Sequence, residues 1–202
     1  MDMGDVDVMN TDMELIEVGI EDEGIIEGFV YHDTRPHRSV WKGMLAGLAG
    51  GLAASWTMNQ FQAGVKKVTE GNDNRQPQQE QQKGGDATVK AASAVSEAVA
   101  HHTLTHDEKK VAGPVVHYVF GSTIGALYGA AAEFSPMTTK GWGVPFGAAV
   151  FVGADEIGVP LAGLSEPPHK VPASTHASAL AAHLVYGATT DGVRRIVRAI
   201  LK

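Results

Sequence analysis

Two adjacent carboxylates, Asp155 and Glu156, lie near the middle of a segment that is otherwise suited to an apolar environment. The segment covers residues 141–164, reads GWGVPFGAAVFVGADEIGVPLAGL and contains no other formally charged residue. Its nine Val, Ile, Leu and Phe residues favour membrane insertion by about 3 to 5 kcal/mol, whereas two central charged carboxylates oppose it by roughly 5 to 7 kcal/mol. Both acids must therefore be protonated or paired with groups on neighbouring helices.

The polar groups available at membrane depth in other apolar segments are mainly histidines: His117, His176, His183 and, at the start of the first segment, Lys42. Neighbouring residues point about 100° apart on a helix, so Asp155 and Glu156 cannot both face the same partner. A cluster of histidines and buried carboxyls can titrate near neutral pH and so handle protons or a small ion. The candidate residues for this role are Asp155, Glu156, Glu133, His117 and His183.

Two other interpretations of these residues stay open. Imidazole and carboxylate ligands suit Zn, Mn or Fe, which makes the same groups a candidate metal site. Alternatively, the groups form a satisfied polar network with a structural role, or the segment is re-entrant and its acids reach the membrane interface.

A second group of histidines lies in HHTLTH, residues 101–106. If a preceding helix continues this far, His102 and His106 share a face at a spacing that can chelate zinc; solvated loop histidines are the alternative. The stretch lacks the Glu of an HExxH motif, and the sequence has no Walker loop and no Gly-x-Ser-x-Gly elbow. The sequence therefore predicts a protein that is not an enzyme and needs no cofactor, apart from a metal ion at the central His/carboxylate residues or at this weaker site.

Apolar helices must position these residues. Four apolar runs, at about 41–61, 111–134, 141–164 and 171–193, approach or exceed the 20 or so residues that a helix needs to cross a hydrocarbon core. Aromatic residues lie near the ends of several runs, as is typical of membrane interfaces. The prediction is an all-α polytopic membrane protein with four transmembrane helices. A soluble Ala/Gly-rich bundle is the competing fold, and the mean hydropathy of −0.06 is compatible with it.

The rest of the chain divides into an acidic N-terminal tail, residues 1–39, and a helical membrane domain, residues 40–202. Eleven of the 23 acidic residues precede Arg35, and no Lys or Arg does. Within the polar loop 62–110, a Gln-rich linker at 70–86 is followed by an amphipathic helix. The absence of cysteine excludes disulfides and thiolate sites, and the lack of a basic stripe with aromatics argues against nucleic-acid binding. The first 30 residues lack the features of a secretory signal.

Glycines recur at helical spacing in the apolar runs. Gly121, Gly125 and Gly129 follow one another every four residues, between His117 and Glu133. The first run offers matching positions at Gly47 and Gly51. Such stripes let helix backbones approach closely in a bilayer, so they predict helix packing within the chain, in a homo-oligomer or against another membrane protein.

An even number of spans places both termini on one side of the membrane. Arg194, Arg195, Arg198 and Lys202 lie within nine residues after the last run. This density of positive charge predicts that both termini are cytoplasmic.

The C-terminal half resembles a known family in four short motifs: AEFSP at 132–136, PLAGLSEPP at 160–168, HLVY at 183–186 and the Arg194–Arg195 pair. Over roughly residues 110–200 the chain is similar to the YagU-like family of bacterial inner-membrane proteins. The resemblance implies a small multi-pass helical protein of the inner membrane without a settled biochemical activity. It adds weight to Glu133 and His183, whereas the Asp155–Glu156 pair lies outside the matching motifs.

Together these observations predict an uncharacterised inner-membrane protein that handles protons or a small ion through a buried His/carboxylate cluster. The alternative is a non-catalytic structural or assembly subunit of a membrane complex, in which the glycine stripes engage another membrane protein.

Overall fold

The computed structural model describes residues 39–69 and 78–201. Residues 1–38 of the predicted acidic tail and residues 70–77 of the predicted linker lie outside these ranges. Within the described ranges every regular element is helical and no strand occurs, which confirms the predicted all-α class.

Six α-helical segments are present in the described residues. They are α1 (Val40–Thr69), α2 (Gln78–Ala100), α3 (His106–Phe134), α4 (Val144–Val150), α5 (Val159–Leu161) and α6 (Ala173–Ile200). A π-helical segment, Phe151–Gly158, joins α4 to α5, so that Val144–Leu161 forms one continuous helix. Short 3-10 turns at Pro136–Thr139 and Pro168–Lys170 precede α4 and α6.

Helix α1 is the centre of the packing, because it contacts both α3 and α6 extensively while those two helices scarcely touch each other. The Ser39 amide meets Glu133 at the end of α3, whereas Ser55, farther along α1, lies beside Gly121, so α1 and α3 run antiparallel. A methyl group added at Gly125 would lie 2.5 Å from the carbonyl oxygen of Gly47. The absence of side chains at these positions is what allows this approach.

The predicted packing glycines all lie at this contact. Gly47 and Gly51 on α1 face Gly121, Gly125 and Gly129 on α3. A similar contact, which the sequence did not single out as a pair, joins Gly143 and Gly147 before and within α4 to Gly187 of α6.

The apolar core lies between α1 and α6. Ala54 and Met58 of α1 pack against Ala182 and Tyr186 of α6, and side chains from α1 and α4 surround them: Phe61, Phe146 and Val150. The Tyr186 hydroxyl donates to the Gly121 carbonyl oxygen at 2.6 Å. This hydrogen bond links α6 directly to α3.

Helix α2 begins earlier than the sequence indicates. Its backbone is helical from Gln78, so the interpretation of residues 78–86 as a linker is wrong; Gln, Glu and Lys are good helix formers even without apolar anchors. The helix packs on α3 and ends at Ala100. The sequence predicts an amphipathic helix here, and Ala92 is buried, whereas the apolar side chains of Val95 and Val99 are 61% and 78% exposed.

The start of α3 is fixed by a capping box. The Thr105 side chain accepts from the Glu108 amide, and the Thr105 amide donates to Glu108 Oε2 at 2.7 Å. Glu108 precedes the apolar run 111–134 and is exposed. Hydrogen bonds donated to the carboxylate by the Thr105 amide and hydroxyl, with a further one from His102, lower the pKa of Glu108 to about 2.

Within the part of the chain that the structure describes, two helices are long and apolar enough to cross a membrane: His106–Phe134 and Val144–Leu161. In their most apolar windows only 28% and 11% of the residues are buried inside the molecule. Large apolar side chains are also exposed along one stripe of α1: Trp41, Leu45, Leu48, Leu52 and Trp56.

Candidate functional site

The two central carboxylates, Asp155 and Glu156, lie in the π-helical segment Phe151–Gly158. Pro160 follows closely, and since proline has no N–H it cannot donate to a carbonyl one turn earlier. Loss of that donor weakens regular α-helical bonding at this point and favours the wider turn. Single π-turns within α-helices are frequent at functional sites.

Glu156 meets a histidine from the first turn of α6. Its Oε1 lies 2.6 Å from His176 Nδ1, and His176 Nε2 lies 3.1 Å from the Pro168 carbonyl oxygen. Both side chains are about one-quarter exposed. The ring of His176 is therefore held between a carboxylate and a carbonyl.

Asp155 faces a different histidine, two turns farther along α6. Its Oδ2 lies 3.8 Å from His183 Nδ1, which donates to the Ala179 carbonyl oxygen at 2.9 Å. His183 is buried, and its ring also lies 5.6 Å from that of Phe151. The neighbouring acids thus point to separate histidines, seven residues apart on one face of α6.

His117 adds α3 to this group. Its Nε2 is buried and has no hydrogen-bond partner among the residues that the structure describes. His183 and Asp155 are close enough to interact with it electrostatically. We use the name His/carboxylate cluster for the five residues Asp155, Glu156, His176, His183 and His117.

Glu133, which the sequence grouped with these residues, lies elsewhere. It occupies the last turn of α3, 16 residues beyond His117, which corresponds to about 24 Å along a helix. Its carboxylate accepts from Arg198 at 2.7 and 3.1 Å and from the Ser39 amide at 3.1 Å. A single polar core that contains Glu133, Asp155 and Glu156 is therefore not formed, because Glu133 lies at the opposite end of the helices.

Sequence reasoning missed the most buried acid of the described residues. Asp191 is 0% exposed and accepts from Arg194 at 2.9 Å and from Arg195 at 2.7 Å. Arg195 also donates to the Thr139 carbonyl oxygen and covers the Trp142 ring at 4.7 Å. The signal was present, because acid and base at i, i+3 and i, i+4 on a helix are neighbours. We use the name Arg/carboxylate cluster for Asp191, Arg194, Arg195, Glu133 and Arg198.

His102 and His106 do not share a helix face. Helix α2 ends at Ala100, His101 has a φ of 50°, and His106 opens α3. His102 instead contacts Glu108 at 3.1 Å on the surface. The condition for zinc chelation by His102 and His106 is thus not met. Among the side chains that the structure describes, at residues 39–68 and 87–201, no group of three or more His, Asp or Glu is arranged to hold a metal ion.

Comparison with known proteins places these residues in a family. Residues 66–192 match the family described as a protein of unknown function, DUF1440. The chain belongs to this family. No curated protein and no solved structure matches the sequence. The match supports the expectation of an uncharacterised family. The YagU-like name and the bacterial membrane setting that the resemblance implies remain predictions.

The DUF1440 region contains the whole His/carboxylate cluster. It begins after the α1 glycines and ends just after Asp191, before the three arginines of the Arg/carboxylate cluster. Both candidate membrane-crossing helices lie within it.

Proposed function

We propose that this DUF1440 protein is a four-helix integral membrane protein whose His/carboxylate cluster handles protons or a small ion. The observation that supports the proposal most directly is that Asp155 and Glu156, in the π-helical segment, each meet a separate histidine of α6. The protein acts by binding and releasing a charge at these groups and is not an enzyme.

The membrane setting is supported by length and exposure. Besides His106–Phe134 and Val144–Leu161, helices α1 and α6 contain 30 and 28 residues, or about 45 and 42 Å at 1.5 Å per residue. A hydrocarbon core is about 30 Å thick. The exposed apolar stripe of α1, which includes Leu45, Leu48 and Leu52, suits contact with lipid chains.

We place the protein in the bacterial inner membrane with both termini in the cytoplasm. Ser39, Glu133 and Arg198 meet, so the start of α1, the end of α3 and the end of α6 lie at one end of the helices. Arg194, Arg195 and Arg198 concentrate positive charge within five residues there, and dense positive charge favours the cytoplasmic side.

Proton handling is the chemistry that the residue types favour. Histidine changes charge near neutral pH, and a neighbouring carboxylate stabilises its charged form. Ionisable groups inside membrane segments are costly and usually mark ion or proton pathways. His176 and Glu156 are partly exposed, whereas His183 and His117 lie deeper, so the cluster offers groups at successive depths.

A structural or assembly subunit is the second candidate. The exposed apolar stripe of α1 is as suitable for another membrane protein or a second copy as for lipid. In that case the protein would co-purify with a stoichiometric partner, and neutral variants of the cluster would leave proton flux unchanged.

The test is proton flux into vesicles that contain the purified protein and a trapped pH indicator. Asp155→Asn is expected to abolish the pH dependence of the flux while the protein still assembles, as judged by gel filtration and circular dichroism. The matched control is Asp107→Asn, which neutralises an acid that is 89% exposed and pairs only with Lys110 among the described contacts. Unchanged flux in a well-assembled Asp155→Asn protein would refute the proposal.

A further inference from the structure

A shallow cavity of about 410 Å³ opens beside the His/carboxylate cluster. Its lining consists of Glu156, Ile157, Pro160, Leu161, Pro167 and Pro168. The volume lies within the range of small-molecule sites. Glu156 is the one ionisable side chain in a lining that is otherwise aliphatic or proline, so the cavity combines a carboxylate with an apolar wall.

The wall of this cavity accepts hydrogen bonds but hardly donates them. Pro160, Pro167 and Pro168 have no backbone N–H to offer. The acceptors are the Glu156 carboxylate and the Pro168 carbonyl oxygen, and both are directed at His176. A ligand that brings its own donors and a positive charge fits this arrangement, whereas an anion does not.

The contacts of His176 indicate what kind of group the Glu156 carboxylate and the Pro168 carbonyl oxygen can bind. Neutral imidazole has one donor and one acceptor nitrogen, but both nitrogens of His176 face acceptors, at 2.6 and 3.1 Å. The geometry therefore fits an imidazolium ion bound to the Glu156 carboxylate. An imidazolium in this position would be an organic cation supplied by the protein itself.

The geometry points to a binding site for a hydrophobic primary ammonium ion, which takes the place of the His176 proton beside Glu156. This inference extends the proposed function, on which it rests, by naming the class of substrate. The ammonium group donates to the Glu156 carboxylate, and the aliphatic or aromatic body lies against Ile157 and Leu161.

The exchange conserves charge at the site. Before binding, the Glu156 carboxylate is paired with the His176 imidazolium; afterwards it is paired with the ammonium ion, His176 is neutral, and one proton has left from Nδ1. His176 is part-exposed, which gives this proton a route to water. Asp155, His183 and His117 are the other titratable groups of the cluster, and the exposed His169 and Lys170 lie in the adjoining turn.

The experiment is a calorimetric titration of the purified full chain with 2-phenylethylamine, in a detergent without ethanolamine lipids. It is run near pH 6 in two buffers of different ionisation enthalpy, because the difference between them gives the number of protons released. We expect nearly one proton per amine bound. Phenylacetate and 2-phenylethanol, which lack the positive charge, are expected not to bind.

Three variants assign the effect to residues. Glu156→Gln is expected to weaken amine binding at least about tenfold, since it removes the charged acceptor. His176→Gln is expected to bind the amine without releasing a proton. Glu166→Gln, which changes a nearby exposed acid outside the lining, is expected to behave like the unchanged protein. If Glu156→Gln fails to fold, Leu161→Trp fills the cavity from a position that is 83% exposed and is expected to block binding.

The inference is overturned if Glu156→Gln or Leu161→Trp binds the amine as well as the unchanged protein does. It is also overturned if His176→Gln releases as many protons as the unchanged protein. If protons are released on addition of phosphatidylethanolamine but not of 2-phenylethylamine, the ligand of the site is a lipid headgroup and the inference of a free amine is overturned.

The outcomes separate this inference from the proposed function. The titration needs no membrane potential and no flux. If the amine binds but the flux is unchanged in Asp155→Asn, the amine site is supported and the proposed role in proton flux is refuted. If the flux depends on Asp155 but the amine does not bind, the proposed function is supported and the amine site is refuted.

Discussion

The two polar clusters lie toward opposite ends of the same helices and are built from opposite chemistry. In the Arg/carboxylate cluster, Asp191 is fully enclosed and receives donors from two guanidinium groups that stay charged at all physiological pH values. In the His/carboxylate cluster, Glu156 and Asp155 are partly exposed and their partners are histidines, the residue type whose ordinary pKa lies closest to neutral. The comparison indicates that one end of the molecule has a permanent ion-pair network and the other a network whose charge can change.

The backbone differs in the same way. Asp191 and its arginines lie on a regular stretch of α6, where i, i+3 and i, i+4 spacing brings them together. Asp155 and Glu156 lie on the π-helical segment, which departs from the regular helix to point the two acids at separate histidines. A fixed pair needs only the ordinary helix, whereas the titratable pair uses an irregular one.

The largest effect is expected when one acid in each cluster is neutralised by an isosteric substitution and the two losses of stability are compared. Asp191→Asn leaves buried Arg194 without its charged partner, and such a loss typically costs about 3 to 5 kcal/mol of stability. Glu156→Gln, at a part-exposed pair, is expected to cost about 1 kcal/mol. The measurement is thermal unfolding in detergent. Equal losses for the two variants would show that the clusters do not differ in the way proposed.

A smaller effect is expected from moving the His/carboxylate cluster without changing its charges. A methyl group at Gly147 would overlap the His183 carbonyl oxygen and lie 3.2 Å from the Gly187 Cα. Gly147→Ala should therefore push α4 away from α6, cost about 1 to 3 kcal/mol and reduce proton flux.

Gly192→Ala is the control for this change, because a methyl group there meets no described atom within 4 Å. It removes a glycine from a helix interior and is expected to raise stability by about 0.5 to 1 kcal/mol without altering flux. Normal flux in Gly147→Ala would show that the α4–α6 distance does not govern the cluster.

The smallest effect concerns the exposed pair of Glu108 and His102, which serves as a surface reference for the pairs in the two clusters. The pKa of Glu108 is lowered from 4.5 to about 2, chiefly by the hydrogen bond from the Thr105 amide. A lowered folded-state pKa means that the contribution to stability is complete above pH 4.5 and is lost as pH falls toward 2.

Carboxyl carbon shifts in an NMR titration would measure this pKa directly. Thr105→Ala removes the side-chain part of the capping box and is expected to move the Glu108 midpoint upward. A midpoint at 4.5 in the unchanged protein would contradict the cap described at the start of α3.

Much of the helical layout follows from the sequence, because long apolar runs between charged residues leave few alternatives. The run predicted at 111–134 lies within α3, and the run at 171–193 corresponds to most of α6. The glycine positions on α1 and α3 could be named in advance because four-residue spacing repeats one helix face. These features depend on local periodicity, which a single sequence records.

The separation of the polar residues into two clusters could not be predicted from the sequence in the same way. Glu133 and Asp155 each lie in an apolar run, but which neighbours they meet depends on helix direction and lateral packing. The π-helical segment has no reliable local signature beyond Pro160 and two glycines, Gly153 and Gly158. Asp191 was within reach, since its spacing to Arg194 and Arg195 is visible, but the arginines were interpreted only as a topology signal and as part of the family resemblance.

The π-helical segment has a consequence for how this chain tolerates changes of length. A π-turn accommodates one residue more than the α-helix around it requires. Deletion of Gly153, whose position is open to its surroundings, would allow Val144–Leu161 to become a regular helix without disturbing the contact of Gly147 with α6. Residues beyond the segment would keep their orientation, because the π-turn already absorbs the extra residue, whereas Asp155 and Glu156 inside it would change their directions relative to His176 and His183. In this segment the number of residues, as well as their identity, sets which charges meet.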